Sequence, residues 1–263
     1  MTRGRTVPAL VRRHDDGESS RGPDHLVVEE PLEIRLDGER VATTMRTPGD
    51  DFELAVGFCH TDGLLGGAAV RRVRYCATGS AVETGFNVVT VDTGGRAPEP
   101  TPRLGTTTSS CGWCGTDGID GLTDRIGPLH GLAAFDVAVL AAVPERVRAA
   151  QRLFDVTGGV HAAAAFDTTG EPVVVREDIG RHNAVDKVVG RLLLDDRLPV
   201  PDLGLFVSGR TSFEIVQKAW AAGFAAVVAV SAPSSLAVAT ARRAGLALAG
   251  FARPGRLNVY TED

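Results

Sequence analysis

The second half of this chain constrains its fold most. Short apolar runs recur there: Pro172-Val173-Val174-Val175-Arg176, Leu203-Gly204-Leu205-Phe206-Val207, Ala225 to Val230, and Leu246-Ala247-Leu248-Ala249-Gly250-Phe251. Between them lie segments of helical character, from Asn183 to Leu194, Thr211 to Ala219 and Ser234 to Arg243. Thr211 or Ser212 and Ser234-Ser235 supply helix caps, and Gly223 and Gly245 supply stops. Continuous apolar strands joined by crossover helices imply a parallel sheet covered on both faces. Ligands in such sheets bind beyond the carboxyl ends of the strands. Polar groups gather there: Asp178-Arg181-His182, Ser208-Gly209-Arg210, Ser231-Pro233-Ser234 and Arg253-Gly255-Arg256.

Upstream of this half, a helix is expected with Pro144 in its first turn, running to Phe154 and stopped by Thr157-Gly158-Gly159. His161 to Phe166 reads as a strand, turned by Asp167-Thr168-Thr169-Gly170. The first half is richer in strands. Leu26 to Glu30 precedes the alternating Leu32-Glu33-Ile34-Arg35-Leu36, an Asp37-Gly38 hairpin turn and Arg40 to Met45. Asp50-Asp51 opens a helix through His60, and short strands follow near Val70 to Ala77 and Phe86 to Asp92. Residues 1–25 are rich in Arg, Asp, Gly and Ser and read as a disordered tail. The expected organisation is that tail, an N-terminal β-rich subdomain over 26–105, a mobile cysteine loop over 106–120, and a C-terminal α/β subdomain over 121–263.

Within that loop, Ser109-Ser110-Cys111-Gly112-Trp113-Cys114-Gly115 offers two thiols three residues apart, each followed by glycine. The polar, glycine-rich setting suits an accessible loop. A thiolate is a nucleophile, a redox group and a soft-metal ligand, so the pair can carry sulfur, exchange disulfides or hold a metal. Only Cys59 and Cys76 remain besides it, too few for a disulfide scaffold in 263 residues. A zinc site drawn from Cys111, Cys114, Cys59 and His60 is disfavoured, because adjacent side chains seldom ligate one ion. Cys59 falls on an apolar helix face, where a buried structural thiol is the commoner case.

The net charge of -5 argues against general nucleic-acid binding. No apolar run reaches the roughly 18–20 residues that span a bilayer, and Met1-Thr2-Arg3-Gly4-Arg5-Thr6 lacks the apolar segment of a signal peptide. The reading is of a cytoplasmic protein. Arg181, Arg210, Arg253 and Arg256, with helix N-termini at Thr211 and Ser234, suit a phosphate-bearing ligand. Glu177, Asp178 and Asp186 are candidate general bases, though carboxylates beside a loop more often cap helices or pair with arginine. His161 and His182 invite a metal, but bonding to backbone or ligand groups is the plainer reading.

These stretches resemble the formate dehydrogenase accessory proteins of the FdhD/NarQ family. The resemblance rests on the Cys111–Cys114 loop, Thr157 to Ala163, Arg176 to Lys187, Val207 to Glu214, Ser231 to Val238 and Gly250 to Tyr260, in order. Trp113 departs from the small aliphatic residue expected between the cysteines. The resemblance implies a cytidine deaminase-like three-layer α/β sandwich with a smaller N-terminal β-rich subdomain. It implies a sulfurtransferase that takes sulfur from a cysteine desulfurase and passes it to the molybdenum cofactor, bis-molybdopterin guanine dinucleotide, before insertion into the formate dehydrogenase catalytic subunit. It makes Cys111 the persulfide carrier and Cys114 its assistant, and it associates Phe251, Ala252, Arg253, Pro254, Gly255 and Arg256 with the cofactor. Arg210 joins them as a strand-end cation. A homodimer follows from the family's habit. The zinc chemistry of deaminases is not carried over, because Ser208-Gly209-Arg210-Thr211-Ser212 stands where their cysteine doublet would fall. Two other classes remain: a dithiol oxidoreductase using Cys111 and Cys114, and an inert nucleotide-binding module. Glycines around Cys111 make a poor helix start, which disfavours the first.

Overall fold

The computed structural model describes residues 4–76, 80–99 and 127–261. Cys111 and Cys114, the loop expected over 106–120, and one end of each neighbouring unit therefore lie outside the described residues.

The chain begins with a two-stranded antiparallel ribbon, β1 (Thr6–Asp15) and β2 (Glu18–Val27), which joins no other sheet. This corrects the disordered tail expected over 1–25. The overlooked signal is Asp16-Gly17, which takes positive φ at both positions, 45° and 89°, and so turns the hairpin. Polar composition masked it, because the ribbon is held by its ladder rather than by a core. Its root is tied down: Val28 N–H donates to Arg5 O at 2.9 Å, and Arg5 Nη2 donates to Glu177 O at 3.0 Å.

A four-stranded sheet follows, in the order β4-β3-β6-β5. Its strands are β3 (Glu30–Leu36), β4 (Glu39–Arg46), β5 (Arg72–Tyr75) and β6 (Val88–Asp92). The expected Asp37-Gly38 turn joins β3 to β4. Helix α1 (Asp51–Thr61) buries Leu54, Ala55, Val56, Phe58 and Cys59 in the core that holds Leu32, Ile34, Leu36, Val89 and Val91 of this sheet.

The larger sheet has six strands in the order β12-β11-β10-β9-β7-β8. These are β7 (His161–Phe166), β8 (Pro172–Asp178), β9 (Gly204–Val207), β10 (Ala226–Ala229), β11 (Ala247–Arg253) and β12 (Arg256–Val259). Only β9, β10 and β11 form the expected parallel array. Strand β7 runs antiparallel to both β8 and β9, and β12 runs antiparallel to β11. The connections decide this. Asp167–Gly170 and Pro254-Gly255 are too short for a crossover, which needs about a dozen residues, so each closes a hairpin.

Alternate residues of the strands feed opposite cores. Ala163, Leu205, Val207, Val227 and Leu248 pack with α4 (Arg181–Leu194), α5 (Phe213–Ala222) and α6 (Ser235–Ala244). Ala164, Phe166, Phe206, Val228 and Ala249 pack with α2 (Val137–Arg148). The result is an α/β fold with helices on both faces of a mixed sheet. Helix α2 starts before the expected Pro144, which lies in its interior; Asp136 caps it by accepting the Ala138 N–H at 2.7 Å. Helix α2 ends at its Ala149 cap, and the chain turns helical again as α3 (Arg152–Thr157).

Helices α1 and α4 bind the two sheets together at glycine contacts. A Cβ on Gly57 would fall 1.8 Å from Asp186 O, and one on Gly190 would fall 1.8 Å from Glu53 O. Such backbone approach admits no side chain.

Candidate functional site: an anion edge on the six-stranded sheet

Strands β8 to β11 all end at one edge of the sheet, and β7 begins there, as do α4, α5 and α6. The Asp178 to Asn183 loop is fixed first. Asp178, fully buried, accepts the Thr47 N–H at 3.1 Å, the Gly180 N–H at 2.8 Å and Asn183 Nδ2 at 3.0 Å, and pairs with Lys187 Nζ at 2.7 Å. Lys187 also donates to Thr47 O at 3.0 Å. Glu177 accepts the Leu153 and Phe154 N–H groups, both at 2.8 Å, capping α3. Asp186 pairs with Lys218 and accepts Thr61 Oγ1 at 2.8 Å. The three candidate bases thus position backbone and balance lysines.

On this platform Arg181 opens α4, whose Gly180 cap supplies no side chain. Burial, and then the neighbouring Arg210, hold the Arg181 guanidinium below its ordinary pKa against the opposing pull of Glu214, so two cations stand near each other here. Arg181 Nε is buried and finds no hydrogen-bond partner among the described residues, and the same holds for Thr211 Oγ1. Helix α5 likewise starts without a side-chain cap from Ser212. Paired arginines beside open helix N-termini form a site for an anion.

His161, at the first position of β7, lies 3.3 Å from Ser208 Oγ through Nδ1, and Ser208 Oγ accepts the Ala162 N–H at 2.9 Å. Burial first, then Arg181, lowers the His161 pKa against the opposing pull of Asp178, so the ring is neutral at neutral pH. His182 contacts Ser212 Oγ at 3.3 Å and Glu214 Oε2 at 3.0 Å. Among the described residues no group of three or more His, Cys, Asp or Glu is placed to hold a metal ion. A cavity of about 530 Å³ opens here, lined by Arg148, Phe154, His161, Ile179, Ser208 and Val230 among others. Arg148 sits over the Phe154 ring, 4.7 Å from its centroid. These two residues come from the helical layer opposite α4, and no motif in the sequence ties them to the strand ends.

The remaining expected site residues surround the β11–β12 turn. Phe251 has φ 53° and donates its N–H to Ser231 O at 3.2 Å. Thr211 bridges to Pro233, so Arg210-Thr211, Ser231-Pro233 and Gly250-Phe251 form one continuous rim. Ala252 is buried in the core under α2, whereas Arg253, Pro254, Gly255 and Arg256 are exposed on the hairpin. The structure sets Arg210 near enough to Arg181 for their charges to oppose each other, and it sets Arg253 and Arg256 directly opposite each other across the turn.

The flanks of the cysteine segment attach at the other edge of the sheet, where α4, α5 and α6 end. Pro98 and Glu99 line a groove of about 890 Å³ with Leu193, Leu194 and Ala221. Trp220 Nε1 donates to Gly127 O at 2.7 Å, and the Leu129 N–H donates to Ala244 O at 3.0 Å. Cys59 is fully buried, and burial, reinforced by Asp62 and Asp186, pushes its thiol pKa far above the ordinary range. His60 beside it bonds Ala221 O at 3.1 Å.

The sequence model of the FdhD/NarQ family matches residues 27–263. This chain belongs to the FdhD/NarQ family. Among its FdhD relatives, the "Sulfur carrier protein FdhD" of Streptomyces avermitilis is 51% identical over 96% of this chain and 93% of its own. The protein of the same name from Corynebacterium efficiens is 44% identical over 100% of this chain and 98% of its own. Among solved structures, a chain described as a formate dehydrogenase accessory protein from Desulfotalea psychrophila superposes with a TM-score of 0.74, covering 98% of each chain at 24% identity. That likeness shows the fold. The FdhD/NarQ match begins at Val27, where the ribbon ends.

Proposed function

We propose that this chain is a sulfur carrier for formate dehydrogenase maturation, working in the cytoplasm as a homodimer. In this reading it accepts sulfur from a cysteine desulfurase and delivers it to bis-molybdopterin guanine dinucleotide, the cargo later inserted into the dehydrogenase. Family membership and relatives named as sulfur carriers support the carrier role. The observation that carries the cofactor half is the Arg181–Arg210 pair beside uncapped helix N-termini, since the cargo bears phosphates.

The Cys111 thiolate attacks the outer sulfur of the desulfurase persulfide. A new S–S bond forms at Cys111, the old one breaks, and the desulfurase cysteine leaves as thiolate. Cys114 can attack the inner sulfur of that persulfide, releasing hydrosulfide and closing a Cys111–Cys114 disulfide. Arg181 and Arg210 hold the cargo's phosphates, and Phe251 to Arg256 bound the rim against which its guanine end rests. The neutral His161 and Ser208 offer hydrogen bonds without adding charge.

Mass spectrometry after incubation with desulfurase and cysteine tests the carrier. Wild type gains sulfur and C111A does not; a C111A protein that gains sulfur and still matures dehydrogenase overturns the reading.

A further inference from the structure

The β1–β2 ribbon precedes the segment matched by the family's sequence model, although relatives such as the Corynebacterium efficiens protein align over the whole chain, ribbon included. An isolated two-stranded hairpin is at best marginally stable in water. This one nevertheless carries exposed apolar and like-charged residues on one face. Leu10, 74% exposed, stands opposite Pro23, and Arg12 stands opposite Arg21 two positions further out. Pro8 opposite His25 and His14 opposite Ser19 lie on the same face. Both Arg12 and Arg21 are exposed, and neither has an ion pair among the described residues. Directly opposed like charges destabilise a strand pair, so this arrangement is poor for the free ribbon and good for one covered by negative charge. On the other face Arg13 is already engaged, bonding Pro23 O at 2.8 Å and approaching Asp24 at 3.8 Å.

Where the ribbon stands indicates what covers it. Its root touches the anion edge. Arg5 bonds Glu177 O, and a Cβ on Gly159, which lines the His161 cavity, would lie 3.7 Å from Val27 Cγ1. Both flanks of the cysteine segment, Glu99 and Gly127, are fixed at the opposite edge. A protein that takes cargo from the anion edge therefore meets the ribbon, whereas one bound along those flanks is a sheet's depth away. The acidic tip residues Asp15, Asp16 and Glu18 oppose a uniform polyanion such as nucleic acid.

We propose that the Leu10–Arg12–Arg21 face of the ribbon docks an acidic, apolar-centred patch on the protein that receives the cargo. This rests on the sulfur-carrier reading, under which that protein is the formate dehydrogenase catalytic subunit. Arg12 and Arg21 meet carboxylates of that patch, and Leu10 with Pro23 fills its centre, an apolar anchor inside a charged rim.

The test measures binding of the full chain to purified, cofactor-free formate dehydrogenase catalytic subunit from the same organism. The L10S/R12E/R21E variant is compared with wild type and with E18Q, a change at the tip. The triple variant is expected to bind roughly tenfold or more weakly and to lose most of the salt dependence, with E18Q near wild type. Light scattering and circular dichroism confirm an unchanged fold and oligomeric state, and R12E and R21E singly give intermediate losses. Sulfur loading of Cys111 is read in parallel. Unchanged dehydrogenase binding with sulfur loading intact overturns the docking surface while leaving the carrier reading in place. A change in oligomeric state without a change in dehydrogenase binding also overturns it, because a second copy then occupies the face.

Discussion

Lys218 Nζ lies between both carboxylate oxygens of Asp186, at 2.8 and 2.9 Å, and both side chains are buried. It also bonds Thr61 Oγ1 at 2.9 Å, so one ammonium joins α1, α4 and α5. Burial works against that charge, but Asp186 and Asp62 overcome it and leave the Lys218 pKa raised. Removing one partner of a buried pair leaves an uncompensated charge. K218M should cost about 3–5 kcal/mol of unfolding free energy in urea titrations. The double change K218M/D186N should recover much of the loss; a double variant no better than K218M would show that the carboxylate charge is not the cause.

The thiols should divide sharply. C111A should accept no sulfur, C114A should keep part of dehydrogenase maturation, and C59A should behave as wild type in transfer. The reason for the last is direct: Cys59 is fully buried and its thiolate is disfavoured. C76A should also transfer normally. Intact-mass measurement on the four variants separates these outcomes.

Guanine nucleotide binding should depend on the anion edge. R210A and R181A should each weaken GDP binding in calorimetry by about tenfold, near 1.4 kcal/mol. R256A should weaken it as well, through the β11–β12 hairpin. Unaltered GDP affinity in all three variants would remove this edge as the cofactor site.

Acid should destabilise the protein through two histidines. Burial lowers the pKa of His60 and of His161 below the ordinary 6.5. As pH falls through 6.5 the unfolded chain binds protons that the folded chain does not, so stability is present above that pH and lost below it. H161Q should flatten the slope of unfolding free energy between neutral pH and mild acid. If that variant keeps the wild-type slope, His161 is not the titrating group.

Assembly gives a further check. The chain should run as a homodimer in light scattering at micromolar concentration, and a monomer there would rule the proposal out. The basic ribbon face is assigned to another protein, so L10S/R12E/R21E should leave the dimer intact.

Much of the architecture was determined by local sequence. The apolar runs around Leu205, Val227 and Leu248 are buried from both sides, and so report a covered parallel sheet without knowledge of their neighbours. Gly223 and Gly245 end α5 and α6 at φ 80°, a conformation that favours glycine, and Asp37-Gly38 turns its hairpin. Six ordered motifs also carried the family resemblance. Periodicity reports only how each residue is buried; it does not report strand direction or partner. That is why the antiparallel placement of β7, set by the short Asp167–Gly170 turn, emerged only in three dimensions, while the ribbon, which buries almost nothing, had only its Asp16-Gly17 turn as a local signal. The apposition of Arg181 with Arg210 and of Gly57 with Asp186 was decided in the same way. These residues are 29 and 129 positions apart in sequence, and their proximity is a property of packed layers rather than of any local pattern.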